Sequence, residues 1–498
     1  MKPMTILTRS LAALLLCGSL LRAESYVDAV KEQVRRPEFA KEFAGSYGIL
    51  SDVEPEVSDA EQLLLTRLQT LFSESKFKDA ENLLVAFIKE TEKPTDPEKA
   101  PAEISPAMIF VLGNLYFQAE RYDEAKRAFE AAIKRFPRFR RAFTNLGYVH
   151  LAQNKLDEAL KSFQKSVNLG ESSSRVMGML GYCYLTKQNP LAAENAYRQA
   201  YLTDPDARDW KMGLAQSLLA QDKNEEAASL FGVLIQENQQ DKQLWMRQTG
   251  AYLAMDRKDE AILNLETLRL MGLTDEANLT LLGNLYMDQA QPKLALSAYS
   301  DALSMSKSVN VSQSLKAARI LNDYGFPDEA AELINKIRGA TKDIVPADRI
   351  AMELTDVKIA RAQNNLDRVG TILKQLLADA PANGEVLLET AKHFDQLARD
   401  QSDEQERAKL NNEAKTHYLL AVENEITAYP ANLGYGQMLV RDGRTIDALP
   451  YLEKSLSLKK SDSLEQYVSR VRRAADREKV RKEREEAERA EQAEANKK

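Results

Sequence analysis

The stretch that decides the fold is residues 106–139, PAMIFVLGNLYFQAERYDEAKRAFEAAIKRFPRF. In its first half, Ile109, Leu112 and Tyr116 recur at the three- and four-residue spacing that places side chains on one face of a helix. The run ends in a polar stretch that begins at Glu120. The first half therefore predicts one amphipathic helix.

The second half predicts a second helix after a short polar break. Asp123 can cap the start of this helix, and Ala125, Phe129 and Ala132 share one of its faces. Pro137 ends it, because proline lacks the backbone N–H that a helix interior requires. The two helices form an antiparallel hairpin.

Small residues let the two helices of this hairpin approach closely. Gly113 lies on the first helix and Ala125 on the second, while Tyr116 and Phe129 fill the space beside them. Neither helix can bury its apolar stripe alone. Each hairpin must therefore stack on the next one, as in a solenoid.

The pattern occurs six times from 106 to 309, at a constant step of 34 residues. The alanine position is filled by Ala125, Ala159, Ala193, Ala227, Ala261 and Ala295. The large position four residues later is filled by Phe129, Phe163, Tyr197, Phe231, Leu265 and Tyr299. The small position of the first helix is filled by Gly113, Gly147, Gly181, Ala215, Thr249 and Gly283. A fixed period of this length indicates a repeat architecture.

The repeat resembles the tetratricopeptide repeat. The matching residues of the first copy are Gly113, Tyr116, Ala125, Phe129, Ala132 and Pro137. The resemblance implies an all-α fold, a right-handed α-solenoid of stacked antiparallel helix hairpins. It also implies that the protein binds peptides or other proteins in a concave groove.

The pattern weakens on either side of the six regular repeats, and about eleven hairpins are expected in total. The expected divisions are a lead at 24–58, a degenerate first hairpin with a Pro-rich loop at 61–105, the six regular repeats at 106–309, divergent repeats at 310–462 with a charged insertion near 395–412, and a capping helix with a charged tail at 463–498. The charged tail is either a solvated helix or a docking arm for a partner.

The N-terminus has the order of a secretory signal peptide. Lys2 and Arg9 precede a short apolar run, and small Ala23 follows it. We expect residues 1–23 to be cleaved and the protein to be exported, with a bacterial periplasm as the expected compartment. A lipid anchor at Cys17 is disfavoured because large Leu16 precedes it. No second apolar stretch reaches membrane length, so no stable membrane insertion is expected after cleavage.

Composition argues against several classes of function. The 498 residues include 68 Lys and Arg against 75 Asp and Glu, a net charge of −7 that gives no electrostatic case for binding nucleic acid. Three histidines and two cysteines leave little for metal or acid–base chemistry. No glycine-rich phosphate loop and no metal-binding motif occurs. We expect no enzyme activity, no cofactor and no metal.

Two reactive side chains are expected in the core rather than in an active site. His150 occupies a position where other repeats carry Tyr, and Cys183 lies between core aromatic residues on a first helix. Acidic pairs such as Asp123–Glu124, Asp157–Glu158 and Asp259–Glu260 recur at the start of second helices, where negative charge favours the helix N-terminus. They are interpreted as structural.

A second stripe runs along the first helices, on the side away from the packing stripe. In tetratricopeptide proteins this stripe lines the inner groove, which implies a partner surface here. Its residues are Phe110, Asn114, Phe117, Arg141, Thr144, Tyr148, Leu151, Arg175, Tyr182, Leu185, Met212, Gln216, Gln243 and Met246. The alternative is that part of the stripe packs against neighbouring first helices.

Two further features bear on the ligand. Asn114, Asn145 and Arg175 fall at three of the five positions of the family's two-carboxylate clamp, but Phe110 and Met179 replace its basic residues, which argues against a clamp. The basic cluster at 134–141 is either a solvated turn or an anion-binding patch, and the first interpretation is favoured.

The sequence as a whole predicts a non-catalytic interaction scaffold of the cell envelope. It would bind a peptide or protein segment in the groove of the solenoid. The alternative is an accessory or regulatory subunit of an envelope enzyme complex, for example in polysaccharide or peptidoglycan assembly. The identity of the partner, the pathway and the oligomeric state stay open.

Overall fold

The computed structural model describes residues 53–305, 310–341 and 344–495, with side chains through residue 485. Over these ranges the chain forms 23 α-helices and no strand, so the all-α prediction is confirmed. The predicted signal peptide, Cys17 and the lead up to residue 52 lie outside the described residues. The chain divides into unit 1, up to Leu273, and unit 2, from Thr274.

Unit 1 contains six helix hairpins among its described residues. They are α1 (Asp59–Ser73) with α2 (Phe77–Glu92), α3 (Pro106–Gln118) with α4 (Tyr122–Arg135), α5 (Arg140–Ala152) with α6 (Leu156–Asn168), α7 (Ser174–Thr186) with α8 (Pro190–Thr203), α9 (Arg208–Leu219) with α10 (Asn224–Glu237), and α11 (Lys242–Ala254) with α12 (Lys258–Leu270). Successive hairpins pack on one another as an α-solenoid.

Unit 2 contains five more hairpins and a long terminal helix within the part described. They are α13 (Glu276–Asp288) with α14 (Pro292–Met305), α15 (Val311–Asp323) with α16 (Pro327–Ala340), α17 (Pro346–Ala362) with α18 (Leu366–Asp379), α19 (Gly384–Asp400) with α20 (Glu404–Val422), α21 (Ala428–Arg441) with α22 (Thr445–Leu458), and α23 (Asp462–Ala495). The hairpins again stack in chain order.

The turn inside each regular hairpin uses one residue in the left-handed region. Its φ lies between 54° and 59° at Glu120, Asn154, Gln188, Asp222, Asp256 and Ala290, which are 34 residues apart. The next N–H then donates to a carbonyl five residues back, as Arg121 does to Tyr116 at 2.8 Å. This geometry ends the first helix and reverses the chain.

The predicted pairing of a small residue with an aromatic ring is confirmed. A Cβ added at Gly113 would lie 2.7 Å from Phe129, and one added at Gly147 would lie 2.6 Å from Phe163. Both phenylalanines are fully buried. The glycine thus lets the second-helix ring lie directly on the first-helix backbone, which sets the spacing of the two helices.

The residues predicted as a charged insertion lengthen one hairpin. Residues 395–400 are the last turns of α19, residues 401–403 connect, and the remainder begins α20. The two helices are 17 and 19 residues long, against 12 to 14 in the regular repeats. The insertion therefore adds helical surface rather than a loop.

The final helix packs on the last hairpin through its first half. Leu464, Val468 and Val471 are buried in one cluster with Leu452 of α22. Farther along, the Glu478 carboxylate accepts hydrogen bonds from the Thr445 hydroxyl and the Thr445 N–H, at 2.6 and 3.0 Å. These bonds, together with Lys482, lower the pKa of Glu478 to about 2. Glu478 thereby caps the N-terminus of α22.

The two side chains predicted to lie in the core are buried, which confirms that prediction. His150 is 5% exposed, and burial lowers its pKa. Cys183 is fully buried, and burial raises the pKa of its thiol to about 12. A thiol with so high a pKa is protonated at neutral pH, which makes it a poor nucleophile.

Candidate functional site

The predicted partner stripe lies on the first helices of five consecutive hairpins in unit 1. Ten of its fourteen residues keep accessible surface, and together they are called the first-helix face. These are Asn114, Phe117, Arg141, Thr144, Arg175, Leu185, Met212, Gln216, Gln243 and Met246. The face combines aromatic, thioether, amide and guanidinium groups on a rigid helical frame.

The structure corrects the prediction at four positions. Phe110 is fully buried, and its ring centroid lies 5.6 Å from that of Phe129 and 4.9 Å from that of Phe139. Tyr148, Leu151 and Tyr182 are also buried. These side chains fill space between helices, because each first helix is flanked by two others and has a narrower free face than its sequence suggests. They offer a partner almost no contact area.

Polar side chains join neighbouring first helices along the face. The Asn145 Nδ2 of α5 donates a hydrogen bond of 2.7 Å to the Asn114 Oδ1 of α3. Asn145 is buried, with 5% of its surface exposed. Two of the three residues that match clamp positions therefore bond to each other, and Phe110, at a fourth clamp position, belongs to the core.

Val53 and Glu54, the first described residues of the N-terminal lead, contact the start of α5. The Glu54 carboxylate is buried and lies 2.9 Å from Nε of Arg141 and 3.8 Å from Nη2 of Arg140. The carbonyl of Val53 accepts a hydrogen bond of 3.3 Å from the backbone N–H of Arg140. Arg141 thus has an acidic partner from its own chain. No local sequence signal pairs these residues, since they lie more than 80 positions apart.

The basic cluster at 134–141 contributes mostly internal contacts. Arg135 donates to the Ile104 carbonyl at 2.7 Å and to Glu92 at 3.1 Å. Arg140 and Arg141 pair with Glu54. Three of its five cations therefore join helix ends to the lead and the preceding loop, a structural role that the sequence analysis missed.

A separate cavity in unit 2 was not predicted from the sequence. It has a volume of about 510 Å³ and lies between α19 and α21, with Arg361, Lys392 and Arg399 among the side chains that line it. Part of the predicted charged insertion forms its wall. A signal was present in the sequence, because Lys392, Gln396 and Arg399 recur at helical spacing.

The described side chains show no cluster suited to metal chemistry. Across the ranges given above, no group of three His, Cys, Asp or Glu residues is placed to hold a metal ion. No described helix has both the length and the hydrophobicity needed to cross a bilayer.

Part of the chain is similar to a known protein family. Residues 110–174 and 179–242 match the tetratricopeptide repeat family. No curated protein matches the sequence significantly.

Solved structures of helical repeat proteins are similar to the chain. A tetratricopeptide repeat protein from Parabacteroides merdae is 16% identical over 54% of this chain and 99% of that chain, with a TM-score of 0.33. YrrB, described as a tetratricopeptide repeat protein with an unusual peptide-binding site, is 16% identical over 44% of this chain and 97% of its own chain, with a TM-score of 0.33. A structure of Naa15/Naa10 bound to HypK-THB is 13% identical over 74% of this chain and 65% of that chain, with a TM-score of 0.36. Residues 110–174 and 179–242 thus resemble tetratricopeptide repeats in sequence, and the described chain folds as an α-solenoid.

Proposed function

We propose that this protein is a non-catalytic scaffold that binds an extended segment of a partner protein along the first-helix face of unit 1. The observation that carries the proposal is the face itself, in which ten side chains with accessible surface lie on five successive first helices. Tetratricopeptide repeats are protein-interaction modules, and two stretches of unit 1 match that family.

The chemistry of the face suits a peptide with both apolar and polar groups. Phe117 and Leu185 pack against the core clusters of unit 1 and keep one side accessible, so they can hold apolar side chains of the partner. Met212 and Met246 adapt to different shapes, because the thioether side chain is flexible and polarisable. Gln216 and Gln243 can donate and accept hydrogen bonds with a peptide backbone.

The interior of each hairpin is filled mainly by residues outside the first-helix face, while Phe117, Leu185 and Met212 pack against it with one side. The glycine–aromatic contacts and the buried alanines fill the interior of each hairpin. Substitutions of face residues outside the core clusters, such as Gln216, Gln243 and Met246, should therefore change binding with little effect on folding. This separation permits a clean mutational test.

Site-specific photo-cross-linking tests the proposal. A photoreactive side chain is placed at Gln216 or Met246 on the face, and the matched controls are placed at Leu202 and Leu263 on second helices, which are 79% and 65% exposed. We expect a cross-linked partner only from the first-helix positions in cells that produce the protein. Equal cross-linking from the second-helix controls would contradict the assignment of the face.

Export and envelope location form part of the proposal. They are supported by the charge, hydrophobicity and small-residue order of residues 1–23. Fusing these residues to a reporter enzyme that folds only outside the cytoplasm should give activity. A matched fusion in which Leu14 and Leu15 are replaced by Arg should give none. Activity from both fusions, or from neither, would contradict export.

A second candidate function is an accessory subunit of an envelope enzyme complex, in polysaccharide or peptidoglycan assembly. The observation that favours it is the polar cavity in unit 2, which is separate from the first-helix face. Co-purification with a glycan-processing activity would support this function. Purification without any such activity would favour the scaffold alone.

A further inference from the structure

The cavity in unit 2 is formed by two first helices that face each other. Lys392, Asp395, Gln396 and Arg399 of α19 line one wall, at the spacing of one helical face. The opposite wall belongs to α21 and has the same spacing. Its residues are Pro430, Leu433, Gly434 and Gln437. One wall is thus charged, and the other is apolar with a single amide.

Two buried carboxylates organise the charges around the cavity. Glu389 is 4% exposed and pairs with Lys392, at 2.8 Å, and with Arg361. Burial raises the pKa of Glu389, but the charges of Arg361 and Lys392 outweigh burial and hold that pKa below its ordinary value. Glu389 therefore stays ionised at neutral pH and fixes both cations in place.

A second buried carboxylate repeats the arrangement at the other end. Asp395 is 2% exposed and pairs with Arg399, at 2.5 Å, and with Arg441. Each buried carboxylate therefore meets two cations. Among the residues that line the cavity, three are cations (Arg361, Lys392 and Arg399) and two are carboxylates (Asp395 and Asp400), a formal excess of one positive charge.

Four donors or acceptors in this cavity can reach a ligand that carries hydroxyl groups. Lys392 and Arg399 keep 40% and 52% of their side-chain surface exposed, so each can donate to a ligand while it remains paired. Gln396 and Gln437 add amide groups that donate and accept. The polar groups thus lie on both walls.

The floor of the cavity includes a tyrosine side chain. Tyr418 of α20 is 2% exposed and is one of the residues that line the cavity. Burial raises the pKa of Tyr418, so the hydroxyl remains a donor at neutral pH. A Cβ added at Gly434 would lie 2.9 Å from this hydroxyl, so the glycine leaves the group accessible.

We propose that this cavity binds a hydroxylated organic acid of the class of sugar acids and sugar phosphates. Lys392 and Arg399 hold the carboxylate or phosphate, and the glutamine amides and Tyr418 bond the hydroxyl groups. Pro430 and Leu433 cover the carbon-bound hydrogens of the sugar ring. The volume lies within the range typical of small-molecule sites, whereas an isolated phosphate would leave most of it empty.

Titration calorimetry on the full chain tests the ligand class. The probes are D-glucuronate and glucose 6-phosphate, compared with glucose, inorganic phosphate and the neutral-ended dipeptide acetyl-Ala-Asp-amide. We expect saturable binding of at least one of the two sugar anions, at least tenfold tighter than that of glucose, phosphate or the peptide. Absence of binding to both sugar anions would overturn the proposal. Equal or tighter binding of phosphate alone, or of the aspartyl peptide, would also overturn the sugar assignment.

Variants locate the binding. Lys392→Gln combined with Arg399→Gln should weaken binding at least tenfold, and Tyr418→Phe should weaken it several-fold while the ring keeps its packing and the melting temperature stays within a few degrees. The control Lys409→Gln removes an exposed cation of α20 and should change nothing. Unchanged affinity in both cavity variants would overturn the site. The cavity contains no residue of the first-helix face. A negative result for the cavity therefore leaves the scaffold proposal intact, and a negative result for the face leaves the cavity proposal intact.

Discussion

The Nδ2 of Asn145 donates a 2.7 Å hydrogen bond to the Oδ1 of Asn114, and this bond joins the first helices of two successive hairpins. The bond lies next to Thr144 and Phe117 of the first-helix face. A hydrogen bond from the buried Asn145 amide fixes the register of the two helices more tightly than apolar contacts do, because it depends on direction. The face is therefore held as a continuous row by polar as well as apolar contacts.

Gly147→Ala should destabilise the protein by about 1–3 kcal/mol, the usual cost of overpacking a core. The added Cβ would lie 2.6 Å from the fully buried ring of Phe163, which has no room to move. The matched control is Gly250→Ala in α11, where nothing lies within 4 Å. It should stabilise by up to about 1 kcal/mol through helix propensity. Thermal denaturation measures both, and equal shifts would refute the close-packing role of Gly147.

Ala290→Gly should stabilise the turn between α13 and α14 by about 0.5–1 kcal/mol, because Ala290 has φ 54° and glycine adopts this region without steric cost. Gly325 occupies the equivalent turn of the next hairpin with φ 88°. Gly325→Ala should therefore destabilise the same unit by about 1 kcal/mol. Urea denaturation of both variants gives opposite shifts of the midpoint if the turn geometry is as described.

His150 should make stability depend on pH. Burial lowers its pKa in the folded protein below the ordinary value of about 6.5. As the pH falls below about 6.5, the unfolded chain binds a proton here that the folded protein still excludes, so stability falls. His150→Tyr restores the residue found in neighbouring repeats and should reduce the loss of stability between pH 7.5 and pH 5.5. Urea midpoints at the two pH values measure the effect, and an identical loss in the variant would contradict it.

Glu54→Ala should destabilise the start of α5 by about 3 kcal/mol, as expected when one partner of a buried ion pair is removed. Arg140 and Arg141 would lose the carboxylate that lies between them. Hydrogen exchange at residues 142–145 should become faster in this variant. Glu56→Ala, at an exposed position of the same segment, is the control and should leave exchange unchanged. Equal hydrogen-exchange rates at residues 142–145 in both variants would mean that Glu54 does not stabilise the start of α5.

The repeat pattern predicted those features that depend on local spacing. The step of 34 residues predicted where each regular helix lies along the chain. The glycine–aromatic pair predicted that the two helices of a hairpin pack closely. The burial of His150 and Cys183 also followed, because both occupy packing positions of the repeat. Such features need only the identity of residues a few positions apart.

Other features depend on contacts that local spacing does not encode. Phe110 was expected on the partner surface, but rings from its own hairpin and from the next one enclose it. The Glu54 carboxylate pairs with Arg141, although two complete hairpins separate the two residues in the sequence. The cavity of unit 2 arises because α19 is longer than the regular first helices, which extends its charged face beside α21. Each of these three features depends on the position of a helix or segment that is distant in the sequence.

The central claim is that the first-helix face of unit 1 is the binding surface, and the affinity of a library-selected peptide tests it most directly. A peptide is selected against the wild-type protein and titrated against Phe117→Ala/Met212→Ala/Met246→Ala. It is also titrated against the second-helix control Leu191→Ala/Leu202→Ala/Leu263→Ala, whose positions are 60%, 79% and 65% exposed. We predict at least tenfold weaker binding to the first variant, or about 1.4 kcal/mol, and unchanged binding to the control. Wild-type affinity in the first variant, or a loss confined to the control, would contradict the claim.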